Sequence, residues 1–170
     1  EAEKALRVAL TGIRQMPVDK ARDHVAALEL DHGWRRGTVW HELGETPLSD
    51  ALEHLAILFD LSEQVMGGAS PQTIAQAYAE AGWQTDDAYL RALSSVEKAS
   101  DLGAVQSCAA TVYQPWADQG ARALQEVLGV GWPSPQSLAV DAGTCVLFCD
   151  GLRYDLARRL AAMLQGVGVS

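Results

Sequence analysis

The sequence predicts a mainly α protein: a multi-helix domain followed by a truncated β–turn–α unit. Three observations point there. Apolar residues recur at helical spacing over the first two thirds of the chain. Prolines and glycines punctuate that pattern where helices start and stop. The unbroken apolar run "CVLFC", residues 145–149, is the one convincing strand, and a helical pattern follows it at once. The division expected is a helical domain over residues 1–131, a linker over 132–143, and a strand and helix over 144–170.

The first segment, "EAEKALRVALTGIRQ", places Ala5, Leu6, Ala9, Leu10 and Ile13 on one face. Pro17 interrupts it. The pattern resumes with Val18, Ala21, Val25 and Leu28 and stops near Gly33. "GTVWHELG" makes one short helical turn at most. In "ETPLSDALEHLAILFDLSEQVMGG", Thr46 is the expected N-cap and Pro47 takes the first helical position, where its missing N–H costs nothing. Leu48, Leu52, Leu55, Phe59 and Met66 mark one edge of a wide apolar face, and Ile57, Leu58 and Leu61 broaden it. Such a face is expected to be buried on more than one side. Gly67 and Gly68 are its expected stop.

The same device recurs in "SPQTIAQAYAEAG": Ser70 caps, Pro71 leads, Gly82 closes. Thr85 is the expected cap of the next helix, with Asp86 and Asp87 favourable to its dipole. The long segment that follows holds Pro115, which predicts a break or kink beginning near Gln114. "VGWPSPQSLAVDAG" reads as a connector.

An unbroken apolar strand belongs in a parallel sheet, with strands beside it and helices over it. Alone it leaves two rows of unpaired backbone groups. No neighbouring strand is legible, so the chain is expected to stop as an α/β domain begins. A start at Glu1 without Met likewise suggests a processed or excised piece. Asp150 stands at the carboxyl end of the strand, the end at which open α/β sheets bind ligands. A carboxylate there suits a hard or borderline cation, and Gly151 lets the backbone turn close to it. Leu152, Leu156, Leu160, Met163 and Leu164 form a stripe for packing on the sheet, with Arg153, Tyr154, Asp155 and Arg158 beside it. Asp is also an ordinary N-cap for a following helix, and the pattern alone leaves both roles open.

The longer string "VLFCDGLRYDLARRLAAML" resembles the opening motif of the PglZ family, the alkaline-phosphatase-superfamily proteins of BREX phage-resistance systems. "RRGTVWHELGETPLSDALEHLA" resembles the helical region that precedes the phosphatase-like domain in that family. The resemblance implies a metal-dependent phosphohydrolase in the intact protein, a phosphatase or phosphodiesterase, with Asp150 helping to bind one of two divalent ions of the zinc or magnesium class. Two such ions polarise a phosphoryl group and stabilise the entering and leaving oxygens. Gly151, Arg153, Tyr154 and Asp155 would support Asp150 from behind. The nucleophile and the remaining ligands would lie past Ser170, so this piece is expected to be inactive and to bind no metal alone. Other subunits of the defence system are the expected partners, and the cytoplasm the expected compartment. The alternative is a helical protein–protein interaction module with no catalytic role, motivated by the wide apolar face over residues 51–66.

Composition narrows the classes further. At 48% hydrophobic and 21% charged, the chain of 170 residues can fill a core. A net charge of −9 argues against a broad phosphate-binding surface, so no direct nucleic-acid binding is expected; "WRRG" and Arg158–Arg159 are too small to reverse it. No apolar run is long enough to span a membrane. Cys108, Cys145 and Cys149 form no disulfide framework: on a strand, positions 145 and 149 would lie about 13 Å apart. His24, His32, His41 and His54 match no metal-ligand spacing. His41 and Glu42, with Trp34 and Trp40 nearby, are a weaker pocket candidate. No "GxSxG" corner and no P-loop are present. Trp83, Trp116 and Trp132 are expected to anchor helix packing or the linker.

Overall fold

A computed structural model describes residues 1–128, 139–141, 143–146 and 148–166. The protein is mainly α. Its helices are α1 (Ala2–Ile13), α2 (Val18–His32), α3 (Val39–Glu42), α4 (Pro47–Leu61), α5 (Pro71–Ala77), α6 (Trp83–Ser94), α7 (Ala99–Val127) and α8 (Tyr154–Gly166). A 3-10 turn, Gly33–Gly37, joins α2 to α3, and a π turn, Tyr78–Gly82, joins α5 to α6.

The core follows the 3.6-residue period. Leu6, Leu10 and Ile13 line the inner face of α1, and Ala21, Val25 and Leu28 that of α2. Helix α4 is central, packing on α2, α6 and α7, while α1 lies along α7. Leu48, Leu52, Leu55, Leu58 and Phe59 of α4 are fully or almost fully buried, each stabilising the fold by roughly 1.5–3 kcal/mol. Most of the wide apolar face seen in the sequence is thus covered by neighbouring helices, while Ile57 stays exposed. Ion pairs tie the periphery down. Arg7 pairs with the buried Asp101, Arg35 with Glu3, and Arg36 with Glu29 while donating to the Ser49 carbonyl. The two arginines of "WRRG" are therefore internal struts.

Several local expectations are corrected. Thr46 precedes α4, but its side chain does not cap; Oγ1 lies 3.4 Å from His41 Nδ1. The Leu48 N–H instead donates to Glu3 Oε2, 3.3 Å away, from the first turn of α1. Helix α4 ends at Leu61, short of Gly67 and Gly68, and Met66 joins a second small cluster with Ile74 and Trp116. Ser70 caps α5 as expected, in a reciprocal box with Thr73.

Gly82 does not stop a helix, and Thr85 does not start one. The helix runs on through the π turn, and Thr85 is buried inside α6. A Cβ at Gly82 would meet Met66 Sδ at 2.6 Å, so any larger residue there would make the thioether shift. Pro115 lies inside α7, which continues past it for about 43 Å in all. Buried Val112 and Trp116 hold the turns on either side, and the Trp116 indole donates to the Gln64 carbonyl over 3.1 Å. Packing outweighs the missing backbone bond.

The largest correction concerns the end of the chain. Among the described residues no strand forms; residues 144–146, 148 and 149 carry no regular structure. Leu147 lies outside the described residues, as do most of the expected linker and Trp132. A strand needs a partner for its N–H and C=O groups, and the described residues supply none. Gly151 turns the chain at φ 71°, and α8 follows as expected.

Helix α8 lies on α6, but not by its apolar stripe. Leu152, Leu156, Leu160, Met163 and Leu164 are all exposed, between 36% and 71%. The contact is polar and aromatic instead. Arg153 reaches Asp86 at 3.5 Å, Arg159 reaches Asp87 at 3.5 Å, and Arg158 lies over the Trp83 ring, 5.4 Å from its centre.

Candidate functional site

The sequence singled out the corner at Asp150. Asp150 and Gly151 lie exposed in a turn. Their neighbours do not gather around the Asp150 carboxylate. Arg153 Nε donates to Asp155 Oδ1 over 3.0 Å, and Asp155 is fully buried against α6 with Oδ2 unpartnered. Tyr154 leans on Tyr78, ring centres 5.8 Å apart. Arg153, Tyr154 and Asp155 therefore fasten α8 to the helical body. Among the described residues no group of three or more His, Cys, Asp and Glu side chains stands close enough to hold a metal ion. One carboxylate does not make a metal centre, so the described residues do not by themselves fit one, and no hydrolytic step is assigned to them.

Sequence reasoning missed the cluster behind that corner. Asp86 on α6 accepts from the Tyr78 hydroxyl over 2.6 Å and from the Tyr113 hydroxyl over 2.5 Å. Burial, then the bond to Asp86, pushes both phenols above their ordinary range. The bond to Asp155 raises Arg153 in turn. Tyr113 stacks on Tyr89, ring centres 4.1 Å apart, and then on Trp116. The cluster thus links the π turn, α6, α7 and α8. It opens onto an apolar groove of about 500 Å³ lined by Met66, Ile74, Tyr78, Tyr113, Trp116 and Leu124. Asp86 was visible only as an acid near a helix start; its partners lie 8 and 27 residues away.

The aromatic candidates fare differently from one another. Trp34 and Trp40 line one cavity of about 420 Å³ with Glu3, Asp31 and Glu45. His41 and Glu42 are not among the lining residues; His41 faces Asp50 at 3.6 Å. His54 is held below its ordinary pKa chiefly by burial, and its Nδ1 is buried without a partner. Cys145 and Cys149 are exposed free thiols, and Cys108 is buried, which raises its thiol pKa. Among the described residues no helix is long and apolar enough to cross a membrane.

The fold and these sites define a mainly α protein whose last helix is latched by charged and aromatic side chains. No protein-family model, curated protein or solved structure matches the chain.

Proposed function

We propose that this chain is the helical part of a PglZ-type anti-phage defence protein and carries the opening βα unit of a phosphatase-like hydrolytic domain. Asp150 would bind one divalent ion, of the zinc or magnesium class, with ligands contributed from outside this chain. The observation that carries the reading is the outward-facing stripe of α8. Leu156, Leu160, Met163 and Leu164 of α8, with Leu152 just before it, are 36–71% exposed, and Val146 and Phe148 upstream are exposed too. A βα unit deprived of its sheet leaves such surfaces uncovered. Asp150, exposed and absent from the ion pairs of its neighbours, is free for a ligand role.

The test is metal content and phosphodiesterase turnover of the intact protein against Asp150→Ala. The expected result is lost metal and lost turnover. Unchanged metal occupancy would remove Asp150 from the site. The 170-residue chain alone is expected to show no turnover with added zinc or magnesium.

A second reading is an interaction module for other subunits of the defence system. Most of the α4 face packs against neighbouring helices and does not carry it. Trp34 and Trp40, 69% and 62% exposed, support it instead, because large aromatics in solvent are typical binding anchors. Co-purification of the chain with the other subunits of the system tests it; a chain that purifies without any of them counts against it.

A further inference from the structure

We propose that the cavity lined by Trp34 and Trp40 is a recognition pocket for an arginine side chain presented by a partner protein. The inference rests on the interaction-module reading and gives it a chemistry.

The pocket combines two indole side chains with unneutralised negative charge. Trp34 leaves the 3-10 turn and Trp40 leaves α3, and both line the same space. The Trp34 indole N–H donates to the Asp31 carbonyl over 3.0 Å, which fixes the ring before any ligand arrives. Asp31 and Glu45 line the cavity and are exposed, and neither takes part in an ion pair among the described residues; Glu1 also lines it, its carboxylate offset by its own α-amino group. Two cationic residue types also face it. Arg35 is buried, its charge is met by Glu3, and its Nη1 is inaccessible. His32 is half-buried. Two free carboxylates, Asp31 and Glu45, therefore leave the lining negative.

That combination selects a cation, and the aromatic part selects which kind. Trp faces attract cations through the ring quadrupole. A guanidinium is weakly hydrated and planar, so it stacks on indole while its edge donates in pairs to a carboxylate; a compact ammonium does neither as well. The source is a protein rather than a free small cation because a cavity of about 420 Å³ is larger than a single small cation fills. The same segment exposes Val39 and Leu43, 60% and 66%, beside Trp40.

The experiment titrates the full chain with an acetylated, amidated Gly-Ser-Arg-Ser-Gly peptide, following the indole N–H signals by NMR. Matched peptides carry Lys or citrulline in place of Arg, and tetramethylammonium chloride serves as the free cation. The Arg peptide should shift the Trp34 and Trp40 signals saturably. The citrulline peptide, which keeps the shape and loses the charge, should not. Trp34→Ala and Trp40→Ala should each weaken binding roughly three- to tenfold. Both rings are exposed, so circular dichroism should show the fold intact, and Glu45→Gln gives a second variant that leaves the aromatics in place. Three results overturn the proposal: no saturable shift, equal binding of the citrulline peptide, or tighter binding of tetramethylammonium than of the Arg peptide. Co-purification with partner subunits that survives both Trp variants would also overturn the pocket while leaving the interaction-module reading standing.

Discussion

The Asp86 cluster offers a quantitative test. Replacing Tyr113 with Phe removes one hydroxyl that donates to Asp86 over 2.5 Å. A hydrogen bond to a charged acceptor contributes about 1.5–3 kcal/mol, and partial water access at Tyr113 places this one near the lower end. Asp86→Ala removes the acceptor of two hydroxyls and one partner of Arg153 at once. Its cost should be about 3–5 kcal/mol, since the phenol of Tyr113 then lacks its acceptor in a part-buried place. The double variant isolates the pair: a coupling of about 1–2 kcal/mol is expected between Asp86 and Tyr113. Urea unfolding followed by circular dichroism supplies the four stabilities. With a slope near 2 kcal/mol per molar, Asp86→Ala should lower the midpoint by about 1.5–2.5 M. A coupling below about 0.5 kcal/mol would refute the reasoning and make Asp86 a surface acid that happens to touch a phenol.

Two more outcomes follow from the same structure. Tyr78 and Tyr113 hold their protons beyond the ordinary phenol value of about 10. Above that value the unfolded chain has lost protons that the folded chain keeps, so stability falls as pH rises from about 10 upward; the melting temperature, scanned from pH 8 to 11, should drop less steeply in Tyr78→Phe and Tyr113→Phe. Pro115→Ala should stabilise the protein by about 1–3 kcal/mol, because Pro115 is exposed inside α7 and alanine restores a backbone donor; a lower urea midpoint would show instead that the helix is shaped around the proline.

The elements that depend on near neighbours in the chain were legible. Leu6, Leu10 and Ile13 announce α1 because burial repeats every three to four residues. Ser70 and Pro71 announce α5 because a capping box closes within three residues. Where distant packing decides, local grammar misleads. Gly82 has the look of a stop, yet it makes room for Met66. Pro115 has the look of a break, yet Val112 and Trp116 clamp both sides of it. A strand is a property of a pair, and none forms among the described residues of the apolar run. The site divides the same way. Trp34 and Trp40 stand close in sequence and meet in one cavity, whereas Asp86, Tyr113 and Arg153 come together only through the tertiary fold.

Glu3 has a reach that its position in the first turn of α1 conceals. One carboxylate oxygen holds Arg35 and the other takes the Leu48 N–H, so a single side chain secures both the 3-10 turn and the start of α4. Trimming α1 by a few residues, a routine step in tailoring a domain for crystallisation, would uncap the central helix and leave a buried guanidinium without its counter-charge. The practical boundary of this domain therefore runs upstream of Glu3, and shortened versions that begin after it are poor starting material.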